Sequence, residues 1–286
     1  MNQQNPGQLP DKSSSTIAFI GGGNMAASLI GGLVADGYKP SSILVSDPDS
    51  EKLASLAARF GVRSVGDNIK AVERADVVVL AVKPQIMQQI AESLASAVQQ
   101  WRPLVISIAA GVREAHLQRW LGGGVALIRS MPNTPAMLQA GATVLHAGSG
   151  VSEDQKSLAE TVLRAVGLTC WVDDEAMMDP VTALSGSGPA YLFLVMEAME
   201  QAGIEMGLPA ETSRLLTLQT ALGAARMAME SSEGPATLRL RVTSPGGTTE
   251  RALQTLEQGD LKALFAKALG DAKRRSEELS EMLGKA

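Results

Sequence analysis

Gly21, Gly22, Gly23, Asn24, Met25 and Ala26 fit the pattern G-x-G-x-x-A, with an apolar run before it and a stretch of helical spacing after it. In such a turn the first glycine makes the tight bend and the second lets backbone approach a pyrophosphate. The terminal alanine permits close packing of helix on sheet. Free amides at the helix start hold the anion, supported by the helix dipole. The chemistry this points to is that of a nicotinamide dinucleotide, NADPH or NADH. Asp47, in Ser46-Asp47-Pro48-Asp49, ends the second β-branched run, where an acid hydrogen-bonds the 2′-hydroxyl of NADH and repels the 2′-phosphate of NADPH. The same residue suits an Asx-turn into Pro48, which turns the carboxylate elsewhere. Other strand ends line the same groove, by the rule that ligands bind at strand carboxyl ends. They are Ala81, Val82, Lys83 and Pro84, then Ala109, Ala110 and Gly111, then Met131-Pro132-Asn133-Thr134-Pro135.

Two more glycine-rich segments fall where the surrounding sequence is helical and glycine is costly. Leu184-Ser185-Gly186-Ser187-Gly188-Pro189-Ala190-Tyr191 reads as a nest of amides suited to a small carboxylate. Val242-Thr243-Ser244-Pro245-Gly246-Gly247-Thr248-Thr249 offers hydroxyls and amides ahead of a helix beginning about Glu250. Neither segment contains His or Cys, so positioning is expected to outweigh acid or nucleophilic chemistry. His116 and His146 read as packing or surface residues, Cys170 as a buried strand thiol, and Glu233 as a solvated helix end or a loop acid at the active site.

The elements that must position these residues fall into two halves. Thr16 to Ile20, Ile43 to Ser46, Asp76 to Leu80, Leu104 to Ser107 and Val125 to Arg129 read as strands. Between them Asn24 to Asp36, Ser50 to Phe60, Gln85 to Val98 and Arg113 to Trp120 read as helices. That alternation predicts a mostly parallel α/β sheet covered on both faces. Beyond about Asp173 the strand signals stop, and Tyr191 to Met206, Ala210 to Ser231 and Leu261 to Leu283 predict helices, with Pro209 in the first turn of the second. The expected organisation is a flexible tail over 1–15, a Rossmann domain over 16–172 and an all-α domain over 173–286. Leu215, Leu216, Leu218, Leu222 and Met227 exceed one surface stripe, so this helix calls for a second chain, a self-contained bundle core being the other reading. The methionines, on helical spacing, read as core filler.

A net charge of −5 gives no basic footprint for nucleic acid. One cysteine excludes an intramolecular disulfide or a thiolate zinc site and suits the cytoplasm. The longest apolar runs are too short to span a membrane.

The sequence strongly resembles pyrroline-5-carboxylate reductase from Ile17 to Leu283. The resemblance is carried by Gly21 to Ala26, Ala81 to Pro84, Met131 to Pro135, Ser185 to Tyr191 and Val242 to Thr249, of which the last two are absent from ordinary dinucleotide folds. It implies a Rossmann domain and a C-terminal helical domain that interlocks between subunits, giving dimers and often a ring of five dimers, a decamer. It also implies hydride transfer from NAD(P)H to L-1-pyrroline-5-carboxylate, giving L-proline in the last step of proline biosynthesis. By the same resemblance the cofactor lies on Gly21 to Ala26, Asn68, Ala81 to Pro84 and Ala109 to Gly111. The substrate lies near Ser187, Gly188, Gly246, Gly247, Thr248 and Thr249. Thr249 matches the threonine that hydrogen-bonds the ring nitrogen. The family's usual NADPH preference and Asp47 point in opposite directions. Another Rossmann imine or β-hydroxyacid reductase is the alternative, although the latter predicts a catalytic Lys or Asp on the helix from Tyr191 to Met206, which contains no Lys. A nucleotide-sensing module predicts loss of one glycine segment, and both are intact.

Overall fold

Runs of four β-branched or apolar residues, too short to alternate and buried end to end, make the central strands. In the computed structural model, which describes residues 15–284, they form an eight-stranded sheet. The expected tail over 1–15 lies outside the described residues except for Ser15, whose carbonyl accepts the Tyr38 hydroxyl. The order of elements is β1 (Ile17–Ile20), α1 (Asn24–Ala35), β2 (Ile43–Ser46), α2 (Ser50–Phe60), β3 (Arg63–Ser64), α3 (Asn68–Val72), β4 (Val77–Leu80) and α4 (Pro84–Trp101). There follow β5 (Leu104–Ser107), α5 (Glu114–Trp120), β6 (Leu127–Met131), β7 (Gly141–Ala147), α6 (Glu153–Arg164) and β8 (Gly167–Trp171).

The strands lie in the order β3-β2-β1-β4-β5-β6-β7-β8. All neighbours are parallel except β6 and β7, and Ile17 registers with both Ile43 and Val77. Successive side chains point to opposite faces, so each strand feeds two cores. Ile17, Phe19, Val45, Val79 and Ile106 pack with Leu29, Ile30 and Leu163 on one face. Ala18, Ile20, Val78, Leu80 and Val105 pack with Met87, Leu94 and Leu117 on the other. Helices on both faces explain why these strands carry continuous rather than alternating apolar sequence.

Two readings from sequence change here. The strand expected at 125–129 begins at Leu127, because the Gln118 side chain takes both the Val125 carbonyl at 2.8 Å and the Val125 N–H at 3.1 Å. Cys170 is exposed rather than buried: β8 is an edge strand, α6 packs on one of its faces, and Leu168 and Cys170 point to the other.

Past β8 the chain is helical: α7 (Met178–Val181), a π-helical turn (Thr182–Gly186), α8 (Gly188–Glu205), α9 (Ala210–Glu230), α10 (Pro235–Arg241), α11 (Thr248–Gln258) and α12 (Leu261–Gly284). Among the described residues, 15–186 with 272–284 form one compact unit and 187–271 another. In the first, the end of α12 packs Ser280 and Leu283 against Gly111, and the Ser276 hydroxyl reaches Asp179 at 2.6 Å. In the second, α8 and α9 form an antiparallel pair. A Cβ on Gly203 would stand 2.2 Å from the Ser213 hydroxyl, which instead donates to the Glu200 carbonyl at 2.7 Å. Pro209 caps α9 from outside instead of occupying its first turn. Among the described residues no helix is long and apolar enough to cross a membrane.

Candidate active site

The glycine turn after β1 is built as a backbone cradle. Gly21 has φ +103°, and a Cβ there would meet the Ala81 carbonyl oxygen at 2.6 Å, so only glycine fits. Around Gly23 the space is open, and among the described residues α1 has no side-chain cap and no acid in its first turn. The amides a helix leaves without partners are therefore available to an anion, while Ala26 is fully buried in the core beside β1. These residues fit a dinucleotide pyrophosphate.

Asp47 lies where the second strand ends, but its carboxylate turns inward. Oδ2 accepts the Gly22 N–H at 2.8 Å and Oδ1 accepts the Asp49 N–H at 2.9 Å, with Lys52 Nζ 3.9 Å away. The second of these is the Asx-turn into Pro48, and the first ties the carboxylate to the glycine turn. Asp47 thus shapes the glycine turn directly and holds its carboxylate beside it.

The other strand-end residues gather at the same carboxyl edge of the sheet. Ala81 and Val82 follow β4, exposed Lys83 stands immediately before α4, and Pro84 is the first residue of that helix. Ala110 is exposed after β5, whereas Gly111 is buried beneath Ser280 and Leu283. Asn68 opens α3, half-buried. Asn133, expected in the groove, has its amide engaged by protein at both ends, with Ser185 and Ala142. A separate cavity of about 200 Å³ between Gln99, Arg102, Gly124 and Gln155 lies at the amino ends of β5 and β6, opposite these residues.

The two glycine segments form helix starts, the first where the chain passes into the second unit and the second within it. The first is not an open nest: it belongs to the π-helical turn, and Ser187 has helical dihedrals, φ −86° and ψ −18°, before Gly188 begins α8. The second bends at Gly246, φ +70°, and enters α11 at Thr248 rather than near Glu250, so Thr248 and Thr249 are first-turn residues. At the bend itself both glycine amides are already used. Gly246 N–H donates to Glu250 Oε2 at 2.7 Å, and Gly247 N–H donates to the Ser244 carbonyl at 3.0 Å. That leaves the Thr248 and Thr249 amides as the ones helix geometry presents to a ligand.

The side chains set aside in the sequence have structural partners. His146 Nδ1 lies 3.3 Å from the Val172 carbonyl and Nε2 lies 3.6 Å from Glu114. His116 stacks on Trp120 at 5.7 Å, and burial, then Arg119 and Arg113, hold its pKa below the usual histidine value. Glu233 is no solvated helix end, since Arg241 binds it at 2.6 Å. Missed in the sequence was Arg129, a buried guanidinium in β6 that contacts Glu175 at 2.6 Å, while the same Glu175 oxygen accepts the Glu114 N–H at 2.6 Å. An arginine inside an apolar strand was the available signal. No cluster of three metal-ligating side chains occurs among the described residues.

A doubly wound sheet with an uncapped glycine turn at its switch point defines a dinucleotide-binding protein of the Rossmann class. Consistent with that, a family model described as NADP oxidoreductase, coenzyme F420-dependent, matches residues 16–111, and one described as pyrroline-5-carboxylate reductase dimerisation matches residues 175–279. The chain is 52% identical to the pyrroline-5-carboxylate reductase of Pseudomonas aeruginosa over 272 residues, 95% of this chain and 99% of that protein. A solved pyrroline-5-carboxylate reductase from Coxiella burnetii superposes with a TM-score of 0.90 at 49% identity, covering 93% of this chain and 99% of the other. The Plasmodium falciparum pyrroline carboxylate reductase, solved with NADP bound, gives a TM-score of 0.83 at 27% identity, covering 94% and 99%. The chain belongs to the pyrroline-5-carboxylate reductase family.

Proposed function

We propose that this chain reduces L-1-pyrroline-5-carboxylate to L-proline as the last step of proline biosynthesis, using NADPH or NADH in the cytoplasm. The observation that carries the reading is the joint presence of an uncapped nucleotide turn in one unit and two glycine-led helix starts in the other, in a chain 52% identical to a reductase of that name. Functionally, residues 16–172 form the nucleotide-binding part and 173–286 the substrate-binding and dimerisation part, a division supported by the dimerisation match beginning at 175. The working assembly is a homodimer, and dimers join as a decamer.

Gly21 to Ala26 hold the pyrophosphate, with Asn68, Ala81 to Pro84 and Ala109 to Gly111 along the rest of the nucleotide. When bound, the reduced nicotinamide supplies the hydride for the C=N carbon. The protein's task is placement: backbone amides at Thr248 and Thr249 take the substrate carboxylate, with Gly246 and Gly247 making the bend that presents them, and Ser187 and Gly188 border the substrate at the start of α8. The Thr249 hydroxyl faces the ring nitrogen. A cyclic imine is basic enough to arrive partly protonated, so orientation rather than a strong acid supplies the rate.

Purified protein mixed with pyrroline-5-carboxylate and each reduced nucleotide should consume the nicotinamide absorbance and yield proline. No oxidation with either nucleotide overturns the reading. The same assay distinguishes the two nucleotides by the concentration at which each saturates the enzyme.

A further inference from the structure

Asn133 spends its carboxamide on the protein at both ends. Its Nδ2 donates to the Ser185 carbonyl at 3.1 Å and to the Ser185 hydroxyl at 3.4 Å, and its Oδ1 accepts the Ala142 N–H at 2.9 Å. Two residues earlier, the Met131 methyl lies 2.4 Å from where a Cβ on residue 186 would stand, so the π-helical turn can carry only glycine there without displacing it. The end of β6 therefore grips this turn twice.

The sequence explains why the turn needs an outside donor. In a helix the Ser185 carbonyl pairs with the N–H four residues on, and that residue is Pro189, which has none. The next N–H, that of Ala190, is committed to the Ser187 carbonyl at 3.0 Å. A π-helical turn that ends against a proline thus leaves one half-buried carbonyl to be satisfied from elsewhere, and Asn133 does so.

We propose that Asn133 is a positioning residue for the imine substrate: its carboxamide replaces the N–H that Pro189 removes and fixes the turn from which Ser187 and Gly188 follow. The proposal rests on the reading of those two residues as substrate contacts, and it moves Asn133 from the nucleotide to the substrate side of the reaction.

The test uses the full chain. Asn133→Asp keeps the acceptor for Ala142 and removes the donor to Ser185. The KM for pyrroline-5-carboxylate should rise on the order of tenfold while the nucleotide dissociation constant, read by fluorescence, stays within about twofold. Adding Pro189→Ala restores an N–H at residue 189 and should recover most of the lost KM. Asn133→Ala, which removes the carboxamide without adding charge, carries the same comparison of KM against nucleotide affinity if Asn133→Asp is recovered unfolded. The proposal is overturned if nucleotide affinity falls in step with KM, if KM is unchanged, or if the double variant is no better than the single. A wild-type chain inactive toward pyrroline-5-carboxylate would instead remove the functional reading beneath it.

Discussion

Among single residues, the ones whose roles follow from backbone conformation were the most legible. Gly21 is glycine because its φ is positive and the Ala81 carbonyl occupies the place of a Cβ, which is the reason the motif requires it. Asp47 was half legible: its position after β2 was plain, but whether its carboxylate faced a ribose or its own loop depended on Gly22, twenty-five positions away in the chain. For Thr249 the structure adds that it sits in the first turn of α11, half-buried, its amide among those without an intrahelical partner. Thr249→Ala should lower kcat on the order of tenfold, the scale of one hydrogen bond to a reacting group, and leave nucleotide affinity unchanged. Steady-state kinetics beside a nucleotide titration check this, and an unaltered kcat takes the hydroxyl out of the mechanism.

At the scale of elements, the central strands and their helices were readable because burial on both faces enforces continuous apolar runs, and helix spacing is equally regular. What the sequence leaves unread is two-residue β3, five-residue α3 and the π-helical turn, together with α6, a regular twelve-residue helix. The buried Arg129 joins β6 to Glu175 beyond β8 and, through the same carboxylate, to the start of α5. Its side chain is 8% exposed, and removing one partner strands a buried charge. Arg129→Ala should cost about 3–5 kcal/mol of stability, measured by urea unfolding. A loss under ~1 kcal/mol would mean the pair is exposed in solution.

For the whole molecule, the second unit inverts the usual rule. In α9 the buried residues are Ser213 and Thr217, while Leu215, Leu216, Leu218 and Leu222 are exposed, Leu216 at 54%. The self-contained bundle core is therefore not what these leucines form within one chain. The core-filler reading of the methionines holds for Met87 and Met178 but fails for Met206, Met227 and Met229, the last 82% exposed. So much apolar surface marks an interface, and the dimerisation match covers it. Leu216→Lys should convert the oligomer to monomer by sedimentation velocity and abolish reductase activity with it. A fully active dimer would place the interface elsewhere.

By itself the sequence determined the class of sheet, the glycine turn after β1 and the need for a second chain. Each of these is local or periodic: a β-branched run, a glycine that must bend, a helix too apolar for one face. Tertiary structure alone decided where Asp47 points, that Cys170 lies on an open edge, that Glu250 already sits on the Gly246 amide, and that Asn133 completes a turn broken by Pro189. Those outcomes depend on hydrogen-bond partners and neighbouring elements that residue spacing leaves open, and a polar group takes whichever partner the finished fold brings within about 3 Å.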